Sequence, residues 1–498
     1  MVSRKKIIRE ILEKYRVIWS LRLAGSLMGW DQETYMPPKG VTERSIAGSN
    51  LAVLRHQLIL KPDFVELVEK ASRKRSLNDV ERGIVRVLKR AIDQARKIPP
   101  EHIAEFSKTT TLALEYWKKA KAEDNYDIFK PYLAKIVELS RKTAEYLGYK
   151  KHPLDALLDL YEEGLTTDDV DSMFSRLEPG LKRVYDKIMA ELPVPEKHPL
   201  EQTKYNVESM KKLNRKALDV LRYPWDRARL DVSAHPFTIG IGINDVRITT
   251  RYEGFDFKRS LLGTIHEFGH ALYELGVDQR FIATPIAGGV SLGVHESQSR
   301  FWENQIGRSK PFVTAFYPHM KRYLVFLRNY TPEDVYLYFN TVRPSLIRTE
   351  ADEVTYNFHI MLRYKLEKML IEGSLSVDEL PEVWNQEMER LLGVRPRNYS
   401  EGVLQDIHWS MGSIGYFPTY SIGTLLSAQI MRRIKQDIPN VEEDISRLRF
   451  RRIQRWLREN IHRYGSMYPP KELVRKALGT DLDPEVYVSY LEEKYLSR

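Results

Sequence analysis

The chain of 498 residues contains no cysteine, so disulfides, thiolate metal sites and cysteine nucleophiles are excluded. It also contains no uninterrupted apolar run of about 18 residues, which is the length that a membrane-spanning helix needs. Its first residues, MVSRKKIIREILEKYRV, are charged throughout and lack the apolar stretch of a signal peptide. We therefore expect a cytoplasmic protein without a membrane partner, and any metal must be bound by His, Asp or Glu.

Neither sign of charge is scarce, because 78 Lys and Arg stand against 68 Asp and Glu and give a net charge of +10. The most basic stretch is RLRFRRIQRWLRENIHR, residues 447–463. Its apolar residues recur at helical spacing, which predicts one buried helix face and arginines on the solvated face. These apolar residues are Leu448, Ile453, Trp456, Leu457 and Ile461. No recognised binding motif accompanies the charge, so we expect no nucleic-acid partner. The high charged content with interleaved signs fits a thermostable protein.

Helical periodicity dominates the apolar pattern, for example over residues 7–15, 80–88 and 132–139. Prolines predict breaks at YMPPKG, KIPPEH, ELPVPEKHPLEQ and MYPPKE. A single hydrophobic core rarely grows beyond about 250–300 residues, so we expect either two lobes or one large helical body. Residues 235–256 differ, because β-branched residues alternate in two runs and predict a β-hairpin. An edge strand there could pair with an extended peptide.

The segment HEFGHALYELG, residues 266–276, follows this hairpin and lies among apolar residues at helical spacing. Residues i and i+4 share one face of a helix, so His266 and His270 can both reach one ion. Neutral imidazole suits zinc. Glu267 can flank the ion and accept a proton from a water molecule whose pKa the zinc lowers toward about 7. The pattern therefore predicts a metallopeptidase.

A catalytic zinc site needs a third protein ligand and one open position. Position 276, where some zinc peptidases have a third histidine, is Gly276, so we expect a carboxylate from a later helix. Glu274 lies one turn further along the same helix and is too far from the ion. Glu296 and Glu303 are seven residues apart and share a face, so either could be the ligand on geometry alone. Glu303 could instead be a surface or ion-pair residue.

Further motifs make the chain similar to the carboxypeptidase Taq family of metallocarboxypeptidases over nearly its whole length. The residues and segments that carry the resemblance, besides HEFGH, are His235-Pro236-Phe237, Asp245-Val-Arg247-Ile-Thr249, His295-Glu296-Ser297-Gln298, Ile347-Arg348-Thr349-Glu350-Ala351-Asp352, Gly402-Val-Leu-Gln405-Asp406-Ile-His408-Trp409, GWDQETYMPP and WLRENIHRYG. They match the family's motifs in sequence order, and no motif position departs from the family pattern.

The resemblance implies a mainly α fold, in which a large helical body with a long central groove carries a small hairpin or sheet beside the HExxH helix. Relatives of this kind resemble neurolysin and the angiotensin-converting enzymes. We expect residues 1–498 to form a single domain whose two lobes flank the groove. The resemblance makes Glu296 the third ligand in preference to Glu303. It also implies a homodimer, zinc as the metal with cobalt able to substitute, and release of C-terminal residues from peptides with broad specificity.

Two further roles follow from the family motifs. An exopeptidase must recognise the terminal carboxylate, and arginine matches a carboxylate bidentately. We predict that Arg348 does this, although an ion pair with an acidic residue on its own segment is an alternative. We predict that Tyr420 and His408 donate to the oxyanion of the tetrahedral intermediate, and Tyr416 is a further candidate. His235 is predicted to donate to the substrate backbone or to act as a structural cap.

One position differs from thermolysin-like sites, which carry a histidine-orienting aspartate four residues after the glutamate ligand. Here that position is Arg300, so the groups that orient the histidines must come from elsewhere. The leading function is a metal-dependent carboxypeptidase with Glu267 as general base. The alternatives are an oligopeptidase that cuts internal bonds and, from another class, a non-catalytic basic binding protein. Intact His266, Glu267, His270 and Glu296 argue against the latter, which would have a decayed site.

Overall fold

The computed structural model describes residues 3, 5–191 and 197–496. These residues form two compact units, each assembled from separate stretches of the chain. The first unit contains the described residues up to Arg96 together with Lys197–Phe339 and Ser427–Asp481. The second unit contains the described residues of the intervening stretches and those after Asp481. The expectation of a single domain with a long groove concerns the arrangement of these units and stays a prediction.

Most described residues are helical. The α-helices are α1 (Lys6–Thr34), α2 (Val41–Ile59), α3 (Pro62–Ser72), α4 (Asp79–Lys97), α5 (Pro100–Glu123), α6 (Lys130–Leu147), α7 (Pro153–Tyr161), α8 (Thr167–Glu191), α9 (Pro199–Gln202), α10 (Val207–Val220), α11 (Phe257–Gly276), α12 (Leu292–Arg300), α13 (Lys310–Tyr323), α14 (Pro332–Phe339), α15 (Tyr356–Glu372), α16 (Leu380–Leu392), α17 (Pro418–Asp437), α18 (Val441–Ser446), α19 (Arg451–Asn460), α20 (Pro470–Leu478) and α21 (Pro484–Leu496). Single 3₁₀ turns lie at Pro38–Gly40, Tyr126–Ile128, Gln279–Phe281, Val325–Asn329, Arg348–Glu350, His408–Met411 and His462–Tyr464, and a π-helical segment, Phe301–Gly307, continues α12.

The apolar stripes in the sequence correspond to buried helix faces, as predicted. Ile8 and Ile11 of α1, Ile84 of α4 and Leu133 of α6 are all fully buried. The predicted breaks after α1, after α4 and before α20 are confirmed. The fourth break follows α8, but residues 192–196 within it lie outside the described part of the chain.

The basic stretch near the C-terminus forms α19 with its apolar side buried, as predicted. Ile453, Trp456, Leu457 and Ile461 are buried, whereas all four arginines of α19 are exposed. Leu448 lies before the helix and is half-buried. The positive charge of this segment is therefore the solvated face of a packed helix. No helix in the described ranges has the length and apolar character to cross a membrane.

The sheet has three strands, β1 (Ala228–Val232), β2 (Thr238–Gly242) and β3 (Asp245–Thr250), in the order β1-β3-β2. The predicted hairpin is confirmed, because β2 pairs with β3 in antiparallel register. The sequence analysis missed β1, which pairs with β3 in parallel. Its buried residues are Ala228 and Asp231, and a buried aspartate breaks the apolar alternation that marks a strand. The expectation of a mainly α fold with a small sheet beside the HExxH helix is confirmed.

Helix α11, which carries HExxH, packs against β2 and β3 on one side and against α12 on another. Its apolar residues are buried, except that Leu272 is half-buried. At Gly269, the backbones of α11 and α12 come so close that a Cβ atom would lie 2.4 Å from the carbonyl oxygen of Gln298. Only glycine fits at this crossing, since any side chain would push α12 away. The glycine of HEFGH thus brings the next helix beside the histidines.

Candidate functional site

His266, His270 and Glu296 lie together in the first unit, with one possible ligand atom of each residue within 4.8 Å of the others. The Nε2 atoms of His266 and His270 lie 3.6 Å and 3.4 Å from Oε2 of Glu296. Ligands placed tetrahedrally at zinc distances are about 3.3 Å apart, so this spacing fits a single ion. Two imidazoles and a carboxylate also suit zinc chemically. The structure therefore brings together the three residues that the sequence analysis predicted as ligands.

Glu267 is buried beside this cluster, and strand β2 fixes its side chain. Thr238 donates a hydrogen bond of 2.6 Å from Oγ1 to Oε2 of Glu267. Burial raises the pKa of Glu267 above its usual value, although His266 and the bond from Thr238 oppose that shift. A buried carboxylate with a raised pKa is suited to accept a proton near neutral pH. The sequence analysis missed Thr238, whose only signal was its place directly after His-Pro-Phe.

Glu303 orients His266 and is not part of the ligand cluster. Its Oε2 lies 2.9 Å from Nδ1 of His266, so the other nitrogen, Nε2, faces Glu296. Arg308 donates to Oε1 of Glu303 at 2.8 Å, and Arg300 lies 3.3 Å from Oε2 of Glu303 and donates to Oε1 of Glu296 at 2.7 Å. The sequence analysis allowed Glu303 to be a ligand, a surface residue or an ion-pair residue. In the structure it is a buried ion-pair residue.

His270 has a different partner, namely another imidazole. Its Nδ1 atom lies 2.7 Å from Nδ1 of His295. On the other side of that ring, Nε2 lies 2.9 Å from Oε1 of Glu274. Glu274 is not among the three residues whose ligand atoms converge, but it belongs to the same network of contacts. Sequence spacing gave no signal for this chain of contacts, because it depends on how α12 crosses α11.

The electrostatics of the two histidines differ accordingly. Burial lowers the pKa of His266, but the carboxylates of Glu296 and Glu303 outweigh burial and hold the pKa above its usual value. Burial lowers the pKa of His270 to about 4, and the neighbouring histidines add to that shift. Burial opposes ionisation of Glu296, but Arg300 and His266 keep its pKa well below the usual range. Glu296 is thus ionised and His270 neutral, the forms in which they bind a cation.

Arg348 lies in the second unit and is 7% exposed. Its Nε and Nη2 atoms lie 2.9 Å and 2.7 Å from Oδ1 of Asp406, and its Nη1 donates to the Tyr356 hydroxyl at 3.0 Å. Asp406 also accepts a 2.6 Å bond from Arg363. The alternative that Arg348 pairs with an acidic residue on its own segment is wrong, because the partner comes from the Gln-Asp-x-His motif. That motif also holds the backbone of Arg348, whose N–H donates to Oε1 of Gln405 at 2.9 Å.

His408 and Tyr420 lie beside this arginine in the same unit. The His408 Nε2 atom is 3.2 Å from the Tyr420 hydroxyl, and the guanidinium of Arg348 lies 5.1 Å from the centre of the Tyr420 ring. Burial lowers the pKa of His408 to about 4, and Arg348 adds to that shift. Tyr416 packs 5.3 Å from both His408 and Tyr420. Three predicted substrate-facing residues, Arg348, His408 and Tyr420, thus form one cluster.

His235 belongs to the first unit and precedes β2, with an exposed side chain. Its backbone carbonyl accepts a 2.6 Å hydrogen bond from Ser233 Oγ. The backbone of His235 therefore makes this local structural contact, whereas its imidazole is exposed. The predicted donation of this ring to a substrate stays a prediction.

The chain matches known proteins over nearly its whole length. The sequence model of the family described as carboxypeptidase Taq (M32) metallopeptidase matches residues 10–495. The chain is 60% identical over 496 residues to thermostable carboxypeptidase 1 of Pyrococcus furiosus, covering 99% of both chains. It is 38% identical over 500 residues to thermostable carboxypeptidase 1 of Thermus thermophilus, covering 98% of each. The solved structure of Pyrococcus furiosus carboxypeptidase superposes with a TM-score of 0.98 and covers 99% of this chain and 100% of that chain. The chain therefore belongs to the carboxypeptidase Taq (M32) family of metallopeptidases.

Proposed function

We propose that the protein is a zinc-dependent metallocarboxypeptidase that releases C-terminal amino acids from peptides with broad specificity. The observation that carries this proposal is the convergence of His266 and His270 Nε2 on one oxygen of Glu296, at 3.6 Å and 3.4 Å. Hard octahedral ions such as magnesium favour oxygen donors, whereas two imidazoles and one carboxylate favour zinc. Cobalt, which accepts similar ligands, is expected to substitute.

A divalent ion held by His266, His270 and Glu296 would supply Lewis acidity, which would lower the pKa of the attacking water toward about 7 and polarise the carbonyl. Glu267 then acts as general base, taking a proton from the attacking water and passing it to the leaving amine. The bond from Thr238 keeps its carboxylate in one orientation. The pKa of Glu267, which burial raises, makes its carboxylate a stronger base toward the proton of the water.

Arg348 is proposed to bind the terminal carboxylate of the peptide. Its Nε donates to Asp406 and its Nη1 donates to Tyr356, while Nη2 lies 2.7 Å from Asp406. A guanidinium has five N–H groups, which is more than these partners require, so donors are left for a carboxylate. Asp406 and Tyr356 keep the plane of the guanidinium fixed, so little side-chain entropy is lost when a peptide binds.

His408 and Tyr420 are proposed to donate hydrogen bonds to the oxyanion. The low pKa of His408, about 4, keeps its imidazole neutral at pH 7. A neutral imidazole and a phenol donate without adding a second full charge beside Arg348. His235 is proposed to contact the backbone of a peptide paired along β2, which is an edge strand of the sheet.

The family resemblance further supports a homodimer, and the names of the relatives from Pyrococcus and Thermus support thermostability. We also propose a location in the cytoplasm. These properties form part of the proposal.

The test is a time course on one free peptide and its C-terminally amidated twin, each with and without a chelator. Stepwise loss of residues from the free peptide alone, abolished by the chelator and restored by zinc, is expected. Equal internal cleavage of both peptides would indicate the alternative, an oligopeptidase. Cleavage that the chelator does not affect, or no cleavage of either peptide, would refute the metallopeptidase mechanism.

A further inference from the structure

The contact between His270 and His295 restricts where both rings carry their protons. In the proposed ligand set, Nε2 of His270 must present a lone pair to the metal, so the proton lies on Nδ1. That N–H points at Nδ1 of His295, 2.7 Å away. Two N–H groups cannot face each other at this distance, so His295 Nδ1 accepts. The proton of His295 then lies on Nε2, where it donates to Oε1 of Glu274 at 2.9 Å.

His295 is held in this orientation from several sides. The ring of Tyr273 packs against it with centroids 5.0 Å apart. A Cβ atom at Gly289 would lie 2.5 Å from Cδ2 of His295, so a side chain there would displace the imidazole. The backbone N–H of Gly289 donates to the same Oε1 of Glu274 at 2.9 Å. The loop before α12 therefore fixes both the imidazole and the carboxylate behind it.

The two proposed histidine ligands are thus oriented by different groups. His266 faces the carboxylate of Glu303 directly at 2.9 Å, and two arginines contact that carboxylate. His270 faces the imidazole of His295, and the carboxylate of Glu274 lies on the far side of that ring. Partners of this kind fix the tautomer and orientation of a metal-binding histidine.

We propose that His295, held by Glu274, is a positioning residue that fixes the Nδ1–H tautomer and ring orientation of His270 and so determines how tightly the site retains its divalent ion. This inference rests on the proposed ligand set of His266, His270 and Glu296. It adds a determinant of metal retention that does not itself touch the metal.

The side-chain amides of Asn and Gln separate the two contacts of His295. An Asn amide lies near the position of Nδ1 and can accept from His270, but it does not reach Glu274. A Gln amide lies near the position of Nε2 and can donate to Glu274, but it leaves His270 without an acceptor. His295→Phe keeps a ring of similar size and removes both contacts. Losing an orienting partner typically weakens metal binding about 10–100-fold.

The measurements are the zinc dissociation constant against a competing chelator, the rate of zinc transfer to that chelator, and the Tm of the metal-free protein. We expect zinc affinity in the order wild type, His295→Asn, then His295→Gln and His295→Phe, with the last two about 10–100-fold weaker than wild type. The Tm of the metal-free protein should not follow this order. If the Phe variant does not fold, the comparison of Asn with Gln carries the test.

His462 provides the matched control, because it is a buried histidine close to the same elements. Its Nε2 atom lies 2.8 Å from Oε1 of Gln298 and its ring packs 5.3 Å from that of Tyr273, and neither of these partners is a proposed ligand. His462→Asn should retain wild-type zinc affinity. Equal affinity of the Asn and Gln variants at 295, or a loss in His462→Asn as large as in His295→Phe, would overturn the proposal. His270→Ala tests the underlying ligand set, since wild-type affinity in that variant would refute the metal site itself.

Discussion

Arg348→Ala separates a carboxylate-binding role from a structural one. The side chain makes two contacts to Asp406 and one to Tyr356, and it is almost fully buried. Its removal does not leave Asp406 unpaired, because Arg363 still donates to that carboxylate at 2.6 Å. The stability cost should therefore fall below the roughly 3–5 kcal/mol of a broken buried ion pair, at about 1–3 kcal/mol. The variant should fold, which makes its kinetics interpretable.

The kinetic effect is expected to depend on the substrate. Loss of a charge-assisted bond to a carboxylate costs about 1.5–3 kcal/mol, which corresponds to roughly a tenfold to hundredfold decrease in kcat/KM on free peptides. An amidated peptide has no terminal carboxylate, so its slow cleavage should change little. The ratio of free to amidated cleavage should therefore collapse. Arg348→Lys should recover only part of this ratio, since an ammonium lacks the planar fork.

The assay measures kcat/KM on both peptides, zinc content and the denaturant midpoint of each variant. Zinc content should remain at the wild-type level, because Arg348 is not a ligand. Arg247→Ala is the matched control, since Arg247 is also an arginine paired with an aspartate, Asp245, at 2.8 Å. A wild-type ratio in Arg348→Ala would refute our reasoning. A collapsed ratio in Arg247→Ala instead would move the carboxylate-binding role to the sheet.

Three further outcomes are expected. Glu267→Gln should keep its zinc, measured by elemental analysis, but lose about 10²–10⁴-fold in kcat, because an amide does not accept the proton; substantial turnover would mean that another base acts. Glu296→Ala should lose zinc in chelator titrations, whereas Glu303→Gln should weaken zinc binding by only about 10–100-fold; the reverse ranking would contradict the ligand assignment. Gly269→Ala should lower both Tm and zinc affinity, because its Cβ would lie 2.4 Å from a backbone oxygen. The control is Gly263→Ala on the same helix, whose Cβ meets nothing within 4 Å and which should stabilise the protein by up to about 1 kcal/mol. Equal effects of the two substitutions would contradict the close crossing of α11 and α12.

Features set by local spacing could be predicted from the sequence. His266 and His270 share a face because they are four residues apart on a helix, and the burial of α11 follows from its apolar pattern. The hairpin of β2 and β3 followed from alternation around a short turn. In each case, the interacting residues are close along the chain, so spacing alone fixes their geometry.

Features set by the crossing of distant segments could not be predicted in this way. Spacing left Glu296 and Glu303 equivalent, and only the family motif separated them. Their different environments arise where α12 crosses α11 at Gly269 and continues into a π-helical segment. The same holds for Asp406, which lies 58 residues from Arg348 along the chain. No periodicity encodes such a distance.

Arg300 occupies the position at which thermolysin-like sites have a histidine-orienting aspartate, and here it contacts two carboxylates. It contacts Glu296 and Glu303, so it links the proposed carboxylate ligand to the carboxylate that orients His266. The network around the two histidines contains the carboxylates of Glu267, Glu274, Glu296 and Glu303 and the guanidinium groups of Arg300 and Arg308. The carboxylates in this network outnumber the guanidinium groups. Buried charge is costly unless it is balanced, so a cation between His266, His270 and Glu296 would offset this excess of acidic groups.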